Sequence, residues 1–273
     1  MVWTLVGGTR LFRSTDRGAT WLERNLPDTP LVANGDISFV NDREGWITAP
    51  GSPAAQCQSQ SVAVWHTADG AATWERIYQS DFTTDTMCKG GLSFADVQRG
   101  WMTLFSNSVA ARFSRTADGG KTWTRTAALP DPPGFTTQEG GFTLRPARVR
   151  AFGTTLLVSA SGQTQSTGAT YTFRSTDEGT TWRYVSTAPS PFGPAVFITA
   201  TRWIQLADPS SYVETTDAGA SWHPFTTDYG QAAPVAPDVV FGDAQVGYAT
   251  VRGSIQRTTD GGAHWSAIKT PGT

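Results

Sequence analysis

One eight-residue phrase, Ser14-Thr15-Asp16-Arg17-Gly18-Ala19-Thr20-Trp21, returns five more times along this chain, at Thr67 to Trp74, Thr116 to Trp123, Ser175 to Trp182, Thr215 to Trp222 and Thr258 to Trp265. Each copy reads Ser/Thr-x-Asp-x-Gly-x-Ser/Thr-Trp or close to it. The second copy has Ala71 at the glycine position with Gly70 one place early, and the sixth has His264 where a hydroxyl residue is expected. A fixed internal period is the signature of a repeat architecture. It outweighs the two-domain expectation that 273 residues would otherwise raise, so one domain over residues 1–273 is expected.

The residue types suit one folded turn. An Asp side chain in a tight connection accepts hydrogen bonds from N–H groups further along, and a glycine two residues on takes positive φ without a Cβ clash. Asp16, Asp69, Asp118, Asp177, Asp217 and Asp260 therefore read as structural, since a catalytic carboxylate is not usually present in six equivalent copies. Trp21, Trp74, Trp123, Trp182, Trp222 and Trp265 each open the following strand, where the ring can cover a neighbouring sheet while the indole N–H needs a partner.

Between the turns the chain keeps one grammar. Asp36 to Val40, the polar turn Asn41 to Glu44 and Gly45 to Ala49 predict a strand, a turn and a second strand. The phrase recurs at Leu92 to Phe94 with Gly100 to Met102, and at Val239 to Phe241 with Gly247 to Ala249. A third strand then runs into the repeated turn and a fourth leaves from the Trp. Each repeat is thus a four-stranded antiparallel unit A-B-C-D, and the Trp spacings of 53, 49, 59, 40 and 43 residues are close to a propeller blade. The fold class is all-β, a six-bladed propeller, seven being the alternative if sequence lies upstream. The first blade has residues for B (Val2 to Val6), C (Arg10 to Ser14) and D (Thr20 to Asn25), with none for A.

Charged residues make up 16% of the chain and the net charge is −2, with the basic residues scattered, so the footprint of a nucleic-acid binder is missing. No run approaches the eighteen apolar residues of a membrane span, and Met1 leads straight into strand-like sequence, so no signal or anchor is expected in this chain. Cys57 and Cys88, 31 residues apart without supporting histidines, make a poor metal site and a better disulfide. Topology puts Cys57 in the B–C loop of blade 2 and Cys88 in the connection leaving its D strand, and a disulfide points to an extracytoplasmic compartment.

The six eight-residue copies resemble the Asp-box, or BNR repeat, shared by sialidases, sortilin-type receptor ectodomains, several glycoside hydrolases and the photosystem II stability and assembly factor-like proteins. The added phrase, Phe39 to Trp46, Phe94 to Trp101 and Phe241 to Tyr248, looks most like the last group and its uncharacterised bacterial relatives. The resemblance implies a β-propeller of the sialidase-like fold and does not by itself imply an enzyme. The Phe/Tyr-Arg-Ile-Pro arginine motif of sialidases has no counterpart; the nearest string, Leu144-Arg145-Pro146, lacks the isoleucine.

Strand alternation puts the A–B turns and the repeated turns at one end of each blade. The long segments 50–61, 80–90, 127–141, 161–169, 187–194 and 227–237 fall at the other, and length invested on one side of a rigid scaffold marks the binding side. Ligand candidates there are Arg148 and Arg150, alternating on the inner strand of blade 4 as a clamp for a carboxylate or phosphate or as an inter-blade ion pair, and Asp36 and Asp238, which begin equivalent inner strands. Phe135, Phe192 and Tyr229 in the long loops offer stacking surface or pin the loops. The expectation is a monomeric binding or assembly scaffold for a protein or glycan, without cofactor, metal or catalytic residue. A BNR-type glycoside hydrolase and a structural module of a larger surface protein are the alternatives.

Overall fold

The computed structural model describes the chain outside residues 29–34, 81–86, 138–142, 164–167, 191–192, 207–211, 231–236 and 271–273. Met1–Ala128 with Pro146–Val149 form one compact unit, and Leu129–Arg145 with Arg150–Pro271 the other. Regular structure among the described residues is strand, apart from a 3-10 turn at Ala55–Cys57.

The first unit holds three sheets. The first is β1 (Val2–Val6), β2 (Arg10–Ser14) and β3 (Leu22–Arg24), with no A strand among the described residues. The second is β4 (Ile37–Phe39), β5 (Gly45–Pro50), β6 (Val62–Thr67) and β7 (Glu75–Gln79). The third is β8 (Cys88–Phe94), β9 (Gly100–Phe105), β10 (Arg112–Thr116) and β11 (Thr124–Arg125). Its core repeats one aromatic contact. Phe39 stacks on Trp3 at 3.8 Å between ring centres, and Phe94 stacks on Trp46 at the same 3.8 Å. Each of these Phe rings also meets the Trp of its own repeated turn edge-on, Phe39 with Trp74 and Phe94 with Trp123. One ring thereby joins two blades, in the edge-to-face and offset geometries aromatic rings prefer.

In the second unit, β12 (Arg145–Pro146) and β13 (Arg150–Phe152) both lie along β14 (Thr155–Gln163), followed by β15 (Gly168–Ser175) and β16 (Arg183–Thr187). The fifth sheet is β17 (Val196–Phe197), β18 (Trp203–Gln205), β19 (Val213–Thr215) and β20 (His223–Pro224). The sixth is β21 (Asp238–Phe241), β22 (Gly247–Val251), β23 (Ser254–Thr258) and β24 (Ser266–Ile268). Leu157, Ala195, Phe197 and Trp203 form one buried cluster, and Ile204, Phe241, Tyr229 and Trp265 belong to another. The inner strand of the fourth sheet is broken at 147–149, where a continuous strand is expected and where Arg148 is instead hydrogen-bonded to Asp36 and Ile37. Residues 161–163 and 168–169, expected in a loop, extend β14 and β15.

The repeated turns share one hydrogen-bond scheme. In the third copy, the Thr116 hydroxyl donates to Asp118 Oδ1 at 2.8 Å and accepts the Gly120 N–H at 2.9 Å. Asp118 accepts the Thr122 N–H at 3.0 Å and its hydroxyl at 2.6 Å. The same four bonds close the turns at Asp16, Asp69, Asp177 and Asp217. The Thr20 hydroxyl, then its N–H and the Ser14 hydroxyl, hold the Asp16 carboxyl down to about 2, and equivalent groups do the same for Asp177 and Asp217. Ala71 takes the glycine place at φ 64, a left-handed conformation costly for a residue with a Cβ.

The fourth strands begin after the Trp, not at it, and in three copies the indole folds back onto its own turn. Trp123, Trp182 and Trp265 donate to the carbonyls of Gly120, Gly179 and Gly262 at 2.9, 3.1 and 2.8 Å. Trp74 instead donates to Asn25 O, and Trp222 to the Ser186 hydroxyl.

Candidate functional site

The A–B turns and the repeated turns are short and closed by their own side chains. Asp96 Oδ1 accepts the N–H groups of Gln98 and Arg99, and Asp243 Oδ1 those of Gln245 and Val246. The histidines lie at this end: His66 is 2.7 Å from Glu44, His223 is 3.1 Å from the Ser221 hydroxyl, and His264 contacts Asp260.

The opposite ends of the sheets carry the longer connections and the non-repeated chemistry. In the first unit the Cys57–Cys88 disulfide spans Cα atoms 5.0 Å apart. Cys88 is not in the connection leaving the second sheet. It is the first residue of β8, paired with Phe105, because that strand starts earlier than its apolar run suggests. The disulfide therefore ties the β5–β6 connection to the inner strand of the next blade. Beside it Lys89 is 7% exposed, its ammonium donating to the carbonyls of Gln60 and Met87, both at 2.6 Å. Gln60 locks the pair by accepting the Lys89 N–H at 2.8 Å and donating to Gly51 O at 2.7 Å. Burying an ammonium is costly unless it is hydrogen-bonded in this way.

Asp36 and Arg148 are brought together. Arg148 donates to Asp36 Oδ1 at 2.6 Å and to Ile37 O at 3.4 Å, and Asp36 Oδ2 accepts the Leu92 N–H at 3.4 Å. Arg148 is not on the inner strand of the fourth sheet, since it falls in the break between β12 and β13. The expected alternation with Arg150 on one strand is thereby corrected. Arg150 belongs to β13, donates to Phe241 O and packs over its neighbour Phe152.

In the second unit, Asp238 is exposed at the start of β21, opposite Thr250. Phe135 and Tyr229 do not offer exposed stacking surfaces. Phe135 is 4% exposed against Tyr171, and Tyr229 is 5% exposed between Tyr212 and Trp265, since apolar rings in connections gain more from covering the sheets than from facing water. Phe192 lies outside the described residues.

Two polar anchors escaped sequence reasoning. Gln205, fully buried, holds the β16–β17 connection by accepting the Ser190 N–H and donating to the carbonyls of Ser190 and Gly193. Lys89 had one available signal, its place next to Cys88. Among the described residues no group of three or more His, Cys, Asp or Glu is placed to hold a metal ion. No helix is long and apolar enough to cross a membrane.

No protein-family model and no curated protein matches the sequence. Solved structures do. A Hadza microbial sialidase is 12% identical with a TM-score of 0.53, over 95% of this chain and 59% of its own, so this chain spans less than two thirds of that protein. An ulvan lyase of polysaccharide lyase family PL25, bound to its -[GlcA(1-4)Rha3S]- ligand, is 10% identical with a TM-score of 0.51, over 96% of this chain and 77% of its own. YCF48 bound to D1 peptide is 18% identical with a TM-score of 0.45, over 85% of this chain and 80% of its own. At these identities the likeness is one of fold. The chain has the all-β, six-bladed propeller architecture that its repeats resemble, with three strands in the first blade.

Proposed function

We propose that this protein is a non-enzymatic, monomeric binding or assembly scaffold that takes a protein or glycan ligand at the ends of its sheets opposite the repeated turns. The observation that carries this reading is the fixed framework on that side: a disulfide, a buried and fully engaged Lys89, and connections anchored by Gln60 and Gln205. A rigid scaffold presenting long connections is how binding surfaces are commonly built. The disulfide also supports an oxidising, extracytoplasmic location.

Fold likeness to a sialidase and a lyase does not choose between binding and catalysis. Glycoside hydrolysis needs two carboxyl groups roughly 5–10 Å apart, one free to act as acid or base. Against that alternative, the Asp36 carboxylate is engaged by Arg148 and the Leu92 N–H. The test is an assay against aryl glycosides including a sialoside, with the wild type, Asp36→Asn and Asp238→Asn. No turnover is expected; turnover that either substitution abolishes would replace this reading with the glycosidase. Pull-down on immobilised glycans and peptides by the wild type, lost on removing the long connections' anchor with Gln205→Ala, supports the surface named here.

A further inference from the structure

We propose that the Cys57–Cys88 disulfide is a thiol-operated latch: when a dithiol reduces it, the β5–β6 connection parts from the start of β8 and uncovers the ammonium of Lys89. The inference rests on the preceding reading only in placing the latch on the ligand side of the sheets. Its test needs no ligand, so the two can fail separately.

The bond is accessible from one side and sits in a strained turn. Cys88 is 3% exposed and paired within the β8 ladder, whereas Cys57 is half-buried between the exposed Gln56 and Gln58. Gln56 and Cys57 stand at φ 54 and 56, two successive left-handed residues of which neither is glycine. That conformation is costly for a residue with a Cβ, and it persists only where the surroundings hold it. Among the described groups, the disulfide holds it, together with the Cys57 N–H on Ala54 O and the Asn107 N–H on Gln56 O, both at 3.1 Å. A disulfide in a strained, accessible turn belongs to the labile class.

The exchange balances with the dithiol as the only co-reactant. Its thiolate attacks Cys57 Sγ, the accessible sulfur, and Cys88 leaves as a thiolate that takes up a proton. The second thiol of the reagent then displaces Cys57, which is protonated in turn, and the reagent departs as its own disulfide. Two electrons have passed to the protein. Gln56 and Cys57 are then free to leave the left-handed region.

Lys89 reports the opening because the same connection covers it. Gln60 O and Met87 O each accept from its ammonium at 2.6 Å, and Gln60 Oε1 accepts its N–H at 2.8 Å. Disulfide and Gln60 together fasten the connection to β8. Once the disulfide is gone, the Gln60 contacts work alone against an ammonium that regains water when the two segments part. Residues 50–61 carry no acidic or basic side chain, so the uncovered amine adds a positive charge beside a neutral connection. A thiol–disulfide change read out as a local change of charge is a recognised form of switch.

The chain has three lysines, and the exposed Lys121 and Lys269 are internal standards for Lys89. The full chain, oxidised or treated with dithiothreitol, is acylated with a water-soluble N-hydroxysuccinimide ester and read peptide by peptide by mass spectrometry. Relative to the two standards, Lys89 is expected to label at least about tenfold faster after reduction, as a local opening equilibrium shifts. Amide-exchange protection in β10 and β15 should persist, which separates local opening from unfolding. Cys57→Ser/Cys88→Ser should label like the reduced wild type with or without dithiol. Gln56→Gly should need at least about threefold more dithiol for half-reduction, since glycine takes the left-handed conformation without a Cβ clash and gives back part of that gain as freedom in the open turn. Gln58→Gly, at φ −72, should need no more than the wild type. The proposal is overturned if the disulfide of the folded chain resists dithiol, if reduction leaves Lys89 labelling unchanged, or if β10 and β15 lose protection along with it. Reduction of Gln56→Gly at the wild-type dithiol concentration would also overturn it, by removing strain as the cause.

Discussion

The Nδ1 atom of His264 lies 2.6 Å from Asp260 Oδ2, in the place that a Ser or Thr hydroxyl takes in the other five repeated turns. An imidazole can replace the hydroxyl because the turn asks only for a donor at that point, and the His264 N–H still reaches Asp260 Oδ1 at 3.0 Å. Unlike a hydroxyl, the ring changes charge near neutral pH.

The sixth turn is therefore expected to be the pH-sensitive one. The hydrogen bond to Asp260, followed by the negative charges of Asp260 and Asp228, raises the His264 pKa above its ordinary value. A raised folded-state pKa means a contribution fully present below the unfolded value and lost as pH rises through the folded one. The His264 N–H, working against burial and joined by the ring, holds Asp260 at about 2, so that contribution is present above the ordinary carboxylate range and lost as pH falls toward about 2. Melting curves from about pH 5 to about pH 9 should show the wild type losing ground relative to His264→Thr as pH rises. Parallel curves would mean that the charge on His264 is not linked to folding.

Removing a turn carboxylate should cost stability in proportion to the bonds it closes. Asp118→Ala leaves the Thr122 N–H and hydroxyl without their acceptor. Because the turn is exposed and water can re-solvate these groups, the loss is expected at about 1 kcal/mol, or roughly 2–4 °C in melting temperature. Asp118→Asn, which keeps one acceptor oxygen, should fall between the two. An unchanged melting temperature for Asp118→Ala would refute the structural role of the aspartate.

Gly45→Ala should destabilise more than a typical strand substitution. The new methyl would run into the ring of Phe39, which is held on its other side by Trp3. Overpacking of this kind costs about 1–3 kcal/mol. The check is a double-mutant cycle by urea unfolding: in a Phe39→Ala background the added methyl should cost little, and full additivity would show that the ring is not the obstacle.

Breaking the disulfide should loosen the first unit. A bridge between residues 31 apart is expected to contribute about 3–4 kcal/mol on the chain-entropy account. Cys57→Ser/Cys88→Ser should melt well below the wild type under non-reducing conditions, and reductant should lower the wild type alone. Amide exchange in β8 is the local readout, since Cys88 begins that strand.

The sequence by itself determined the all-β blade repeat, the strand order within each blade, the turn that recurs and the cysteine pairing. These features are local or repeated. A period-2 strand and a turn closed by Ser/Thr, Asp and Gly are both written in contiguous residues, and six copies reinforce one reading. What only the tertiary structure decided was where each non-repeated side chain goes. Arg148 meets Asp36 across 112 residues because the break at Ala147–Val149 frees it from the strand on which alternation placed it. Phe135 and Tyr229 sit in connections that sequence cannot orient, and they turn inward because Tyr171 and Trp265 are there to receive them. Lys89 is buried among carbonyls that two separate connections supply. Register follows from short-range hydrogen bonding and is legible in a string. Ion-pair partners and burial depend on which segments abut, and that is settled only when the sheets pack.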